Sequence, residues 1–167
     1  LSGLIANYDV GEVVSAKGIA EGVSNSNWLI DTTGGRFILT MYERRIELTD
    51  LPFFLGLLDH LAAKGCPVPR TIHDRQGNAS RMLDGKAVAL IEFLSGVSID
   101  TPTAAQAHNV GKVLAQMHSR AQDFPAARAN DLGPSQSAAV LAQCGVAALS
   151  GIDPALPATI DLAARIA

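Results

Sequence analysis

From Lys17 to Asn27 the chain reads Lys-Gly-Ile-Ala-Glu-Gly-Val-Ser-Asn-Ser-Asn. Gly18 and Gly22 remove side-chain bulk, so backbone N–H groups can come close to an anion. Glu21 adds a carboxylate, and Ser24, Asn25, Ser26 and Asn27 add short polar groups. Such a loop suits a chain of phosphates, and it equally suits an ordinary Gly/Asn-rich turn. It is neither Gly-x-x-x-x-Gly-Lys-Ser/Thr nor Gly-x-Gly-x-x-Gly, so the P-loop and dinucleotide-fold readings fail. The other chemistry-bearing residues are sparser. His60, His73, His108 and His118 show no zinc-ligand spacing and suggest no Ser/His/Asp set. Cys66 and Cys144 form no Cys-x-x-Cys, which points to reduced, buried thiols in a cytosolic protein.

The loop needs strands to hold it. Glu12–Lys17 is a short β-like run before it, and Asn27–Asp31 and Arg36–Tyr42 are β-rich runs after it. Thr33-Gly34-Gly35 joins the latter two as a hairpin turn, because glycine accepts positive φ. Thr49-Asp50-Leu51-Pro52 reads as a helix start with a capping residue and an early proline. Leu51, Phe54, Leu55, Leu58, Leu61 and Ala62 recur at helical spacing, Gly65 stops the helix, and Pro67-Val68-Pro69 forces an extended exit. Turns at Gln76-Gly77-Asn78 and Asp84-Gly85-Lys86 flank Arg81-Met82-Leu83. The run Ala87–Leu94 is nearly all apolar and is expected to be a strand buried on both faces.

After Ser95-Gly96 the texture becomes helical. Thr101-Pro102-Thr103 opens a helix to about Gln122 with an apolar stripe at Val110, Val113, Leu114 and Met117. A loop spans Phe124-Pro125 to Gly133-Pro134, and two Ala-rich helical stretches follow, near 135–149 and 154–167. The chain starts at Leu1, not Met, and ends inside an amphipathic pattern with no Gly or Pro stop, which reads as truncation. At 167 residues and 48% hydrophobic content it is a globular chain the size of one domain or one large lobe. A net charge of −3 gives no footprint for nucleic acid or an anionic membrane surface. No apolar run is long enough to span a bilayer, and no secretory signal is visible.

Six segments, read in order, carry a resemblance. They are Gly-Ile-Ala-Glu-Gly-Val-Ser-Asn-Ser-Asn-Trp, Phe-Ile-Leu-Thr-Met-Tyr-Glu, Leu-Pro-Phe-Phe-Leu-Gly-Leu, Pro-Val-Pro, Ile-Glu-Phe-Leu-Ser-Gly and Arg-Ala-Asn-Asp-Leu-Gly. Together they resemble the first half of bacterial homoserine kinases of the aminoglycoside phosphotransferase/choline kinase superfamily. The resemblance implies an α+β, protein-kinase-like fold. Residues 1–94 would be a nucleotide-binding N-lobe, an antiparallel sheet plus one helix. Residues 95–167 would be the hinge exit and the first helices of a truncated helical C-lobe. It implies ATP and Mg²⁺, transfer of the γ-phosphoryl group to L-homoserine on the way to threonine, and a cytoplasmic location.

By the same resemblance, Gly18, Glu21, Gly22, Asn25 and Asn27 belong to the nucleotide loop and Thr40 to the adjoining strand. Backbone groups of Glu92 and Leu94 would hold adenine, and Arg128 and Asn130 would lie near the acceptor substrate. Two departures stand out. Protein kinases place a Lys on the third strand, paired with a helix Glu; here those positions fall at Thr40 and near Phe54. Lys17, Arg44 and Arg45 are candidate replacement cations or solvated surface charges. Such kinases also carry an Asp five residues before an Asn, and no Asp of this chain has that spacing. Asp131-Leu132-Gly133 follows no catalytic loop and reads as a turn. The catalytic base and metal ligands are therefore expected beyond residue 167, and the chain alone is expected to be inactive. Other small-molecule kinases of the superfamily, acting on an aminoglycoside or choline, and a non-catalytic nucleotide- or partner-binding remnant are the alternatives.

Overall fold

A computed structural model describes residues 1–20, 24–43, 47–130 and 133–166. They form two compact units, Leu1–Ala127 and Arg128–Ala167. The first is built on a six-stranded antiparallel sheet. Its strands are β1 (Val13–Ile19), β2 (Asn25–Thr32), β3 (Gly35–Tyr42), β4 (Thr71–Ile72), β5 (Arg81–Leu83) and β6 (Lys86–Glu92). The spatial order is β1-β2-β3-β6-β4, and β5 pairs with β6 on the edge that β4 also uses.

The apolar run at β6 is buried on both faces, as its composition predicts. Val88 and Leu90 pack with Ile30, Leu39 and the N-terminal segment, where a one-turn helix α1 (Ser2–Ile5) delivers Leu4, Ile5 and Tyr8. Ala87, Ala89 and Ile91 face the other way, beneath Leu51 and Leu55 of α2 (Leu51–Ala63). The alanines let the helix sit close to the sheet. Helix α2 starts with its proline in the first turn. It ends in a paired Schellman arrangement: Cys66 N–H donates to Leu61 O and Gly65 N–H to Ala62 O, both at 2.9 Å, with Gly65 at φ +71°.

The β2–β3 turn is clasped by the N-terminal segment. Gly34 N–H donates to Val10 O (3.1 Å), Thr33 N–H to Glu12 O (2.9 Å), and Glu12 N–H to Thr33 Oγ1 (3.0 Å). A Cβ at Gly34 would stand 2.5 Å from Val10 O and 2.8 Å from its carbonyl carbon. A second clasp centres on Asp74, bridged to Tyr8 and enclosed by the turn after it. Its Oδ1 accepts from Asn78 N–H (2.8 Å) and Gln76 N–H (2.9 Å), and Arg81 pairs with Oδ2. Hydrogen bonds from Asn78 foremost hold this acid well below the usual carboxylate range.

Helix α3 (Ala104–Ala121) begins with a capping box, Thr103 Oγ1 accepting from Gln106 N–H and Gln106 Oε1 accepting from Thr103 N–H. Its far end is tied to α2. Lys64 Nζ donates to Arg120 O (3.0 Å) and pairs with Asp123, and Phe124 packs on Phe53 and His60 at 5.6 and 5.2 Å between ring centres. The expected apolar stripe is partly open: Val110 is 60% exposed and Leu114 46%, while Val113 and Met117 are half-buried. The second unit holds α4 (Pro134–Cys144), α5 (Val146–Ile152) and α6 (Leu156–Ile166), three helices where two stretches were expected. Gly145, at φ +76° and ψ 150°, leaves the helical region and divides the first stretch. Among the described residues no helix is long and apolar enough to cross a membrane.

His73 lies between acceptors. Its Nδ1 is 3.0 Å from Gly77 O and its Nε2 2.6 Å from Asp59 Oδ2, while Asp59 Oδ1 accepts from Thr71 N–H at 3.1 Å. Both ring nitrogens must carry a proton to donate to both, so the imidazolium fits best. Hydrogen bonding to Gly77 first, and to Asp59 next, raises its pKa. The resulting stabilisation is complete below the unfolded value of about 6.5 and is lost as pH rises through the folded one.

Two stability predictions follow from these contacts. The denaturation midpoints of the wild type and His73→Ala should lie furthest apart near pH 5.5 and converge by pH 9; a gap independent of pH would refute the imidazolium assignment. Gly34→Ala should cost about 1–3 kcal/mol in urea unfolding. Gly3→Ala, which meets nothing within 4 Å, should cost nothing.

Candidate functional site

The face of the sheet that carries α2 also forms an open cleft where β6 leaves the sheet. The cleft, ≈ 380 Å³, is lined by Ile38, Thr40, Pro69, Ile91, Glu92, Phe93 and Leu94. Register explains the lining. Ile38 is paired with Ile91 across β3 and β6, and Thr40 with Ala89. Paired residues share a face, so two branched side chains form the floor and a hydroxyl stands at its edge. A volume of this size with an apolar floor suits a small planar ligand.

Past Ile91 the strand is locked from both sides. Glu92 N–H donates to Arg70 O (2.9 Å). The Glu92 carboxylate accepts from Arg70 N–H (3.1 Å), Nε (3.2 Å) and Nη2 (3.2 Å). Arg70, chiefly through its side-chain hydrogen bonds, keeps the Glu92 carboxyl below the ordinary range. The carboxylate is thus committed to Arg70, and what Glu92 can offer a ligand is backbone. On the other side the Arg36 guanidinium lies 5.3 Å from the centre of the Phe93 ring. Arg36 Nε in turn donates to Asp31 Oδ1 (2.7 Å), and Asp31 Oδ2 accepts from Ser15 Oγ (2.9 Å). Leu94 is half exposed at the end of the cleft.

Toward the glycine loop the same face turns polar. Asn27 on β2 lies opposite Thr40 and Asn25 opposite Tyr42, whereas Gly18 on β1 lies opposite Trp28, whose β3 partner Leu39 belongs to the other face. Thr40 Oγ1 donates to Asn27 Oδ1 at 2.9 Å. Asn25 Oδ1 is buried with no hydrogen-bond partner among the described residues. Ser26 points the other way along β2 and donates to Glu43 Oε1 (2.7 Å), so its hydroxyl is not a donor for this face. Lys17, opposite Leu29, shares the face but stands exposed on β1. Glu21, Gly22, Arg44, Arg45, Asp131 and Leu132 lie outside the described residues. Phe54, at the helix position where a clamp Glu was sought, meets the Phe53 ring edge at 5.5 Å.

The structure therefore brings Thr40, Glu92 and Leu94 to one cleft and joins Asn27 to Thr40. Arg128 and Asn130 belong to the second unit, where Arg128 Nη1 donates to Ala129 O at 3.0 Å. Among the described residues no group of three or more His, Cys, Asp or Glu side chains could hold a metal ion. Sequence reasoning missed Ile38 and Ile91, which alternation along the strands could have given, and Pro69, which lies in the extended segment before β4. It also missed Arg36 and Arg70, for which no local pattern exists. Because Glu92 is the acceptor for the Arg70 amide, Glu92→Ala should speed hydrogen exchange at that amide roughly 10-fold while the β6 core keeps its protection. Unchanged exchange at Arg70 would show that the pair does not lock the strand.

A comparison with protein families matches residues 15–166 to the phosphotransferase enzyme family. Curated relatives include a homoserine kinase of Caulobacter sp. (strain K31), 47% identical over 161 residues, 96% of this chain and 50% of the relative. Homoserine kinases of Granulibacter bethesdensis and of a Bradyrhizobium sp. are 46% and 43% identical, over 86% and 99% of this chain and 45% and 52% of theirs. The chain spans about half the length of the curated relatives it matches. Among solved structures, spectinomycin phosphotransferase in complex with ADP and spectinomycin has a TM-score of 0.62. It is 16% identical, with 86% of this chain and 44% of that one covered, and so speaks for the fold. The antiparallel sheet, the helix on its cleft face and the family match over nearly the whole length agree: the chain belongs to the phosphotransferase enzyme family.

Proposed function

We propose that the chain is the nucleotide-binding part of an ATP-dependent homoserine kinase, converting ATP and L-homoserine to ADP and O-phospho-L-homoserine in threonine biosynthesis. The observation that carries this assignment is the 43–47% identity to three homoserine kinases across 86–99% of the chain. The cleft supports it, since its apolar floor and backbone rim suit a purine better than a charged or sugar-like ligand. Adenine would lie on Ile38 and Ile91, with backbone groups of Glu92 and Leu94 at its polar edge. Gly18, Glu21, Gly22, Asn25, Asn27 and Thr40 would surround the phosphates.

Residues 1–94 then act as the N-lobe, with 95–167 as the hinge exit and the first C-lobe helices. Arg128 and Asn130 are assigned to the acceptor. In the full reaction the homoserine hydroxyl oxygen forms a bond to the γ-phosphorus as the bond to the β–γ bridging oxygen breaks. The hydroxyl proton passes to a carboxylate base, and ADP leaves. The base and the ligands for Mg²⁺ are assigned to the part of the relatives' length that this chain does not span. The described residues offer no carboxylate cluster for the metal, and none of the steps assigned to this chain uses one. A cytoplasmic location accompanies the assignment.

In a thermal melt, saturating Mg·ATP at about 100 times Kd should add about 2.7 kcal/mol and raise the midpoint by roughly 5–10 °C. The 167-residue chain should release no ADP in response to homoserine, because loss of a general base alone costs about 10²–10⁴-fold. A midpoint indifferent to ATP would refute nucleotide binding. Homoserine-dependent ADP release would refute the assignment of the base to a segment outside this chain.

A further inference from the structure

Resting on the nucleotide assignment above, and deepening it, we infer that Thr40 is a positioning residue that aims the Asn27 carboxamide at the nucleotide's phosphates. The pair would be an uncharged substitute for a strand lysine. Thr40 has no cation to give, yet it stands at the polar edge of the cleft floor, one alternation along β3 from Ile38. Its hydroxyl donates to Asn27 Oδ1 at 2.9 Å. In the structure that bond occupies the oxygen of the amide. The Nδ2 end, with two N–H donors, is left to point away from Thr40. An amide so oriented presents hydrogen-bond donors and no charge.

Two further observations mark this spot as a ligand subsite. Asn25, on the same face two residues nearer the loop, keeps a buried Oδ1 that no donor among the described residues reaches. A buried acceptor without a donor is destabilising, and a bound donor such as a ribose hydroxyl or a water held on phosphate would relieve it. Ala89, the β6 partner of Thr40, has no side chain long enough to compete for the threonine hydroxyl. Lys17 is the charged rival on this face. It sits on the exposed strand β1, opposite Leu29, two residue pairs along from the Ile19–Asn27 pair.

The test compares equilibrium binding of Mg·ATP and of adenosine to the 167-residue chain and its variants. Thr40→Val keeps the shape and removes the hydroxyl; Asn27→Ala removes the amide. Each should raise the Kd for Mg·ATP about 10-fold and leave that for adenosine within about twofold, because only ATP reaches the subsite. Thr40→Ser should restore wild-type affinity, which a merely structural role for the threonine methyl would not allow. Lys17→Ala should have little effect. Mg·ATP binding unchanged in both Thr40→Val and Asn27→Ala, equal weakening of adenosine, or a loss confined to Lys17→Ala would each overturn the inference. A wild type that binds neither ligand would overturn the nucleotide assignment, and the inference with it; a wild type that binds both isolates the question to Thr40 and Asn27.

Discussion

Strand β6 must be buried on two faces at once, and the geometry of the first unit follows from how it manages this. Val88 and Leu90 go to the α1 side, and Ala87, Ala89 and Ile91 to the α2 side. Shifting the strand by one residue would put branched side chains beneath α2 and alanines into the larger core, so the register has one good solution. β3, β4 and β5 are all paired to this strand. The positions of Ile38, Thr40 and the segment Glu92–Leu94 are therefore consequences of packing in the core.

The polar clasps have a different task. Arg70–Glu92, Arg36–Asp31 and Lys64–Asp123 are solvent-accessible pairs, weakened by hydration and screening, and add little to stability. Truncating a buried leucine such as Leu55 or Leu90 removes about 2–5 kcal/mol. The fold is held by the apolar layers; the ion pairs choose the path of the chain where the layers end. That is why two of them meet at the segment leaving β6, where no side chain is left to be buried on both sides.

Much of this was readable from residue order alone. The two-faced strand, the Thr-Gly turn, the Gly65 stop and the Thr103 helix start are local patterns, and each stands where composition put it. The fold class followed from six short segments in order. The site was less legible. Glu92 could be placed at the cleft, yet its commitment to Arg70 joins residues 22 positions apart through a sheet edge. The Asn27–Thr40 bond depends on a hairpin register that composition does not fix. The stripe on α3 was correctly seen as apolar, but periodicity records the character of a face and not whether anything covers it. The last helices were miscounted because one glycine, Gly145, adopts a backbone angle that other residues avoid.

Burial falls away steadily across the sheet. β6 is enclosed and paired on both edges, whereas β1 is paired on one edge and exposed from Val14 to Ile19. Local opening follows this slope, since strands with few apolar contacts open at a fraction of the global cost. The apolar floor of the cleft thus opens at a higher cost than the strand that leads into the glycine loop. A long, flexible ligand would meet a firmer wall at one end and a more yielding one at the other. It could be anchored first by its rigid ring and enclosed afterwards along its tail. Thr40 and Asn27 sit where the firmer part of the sheet hands over to the more yielding part.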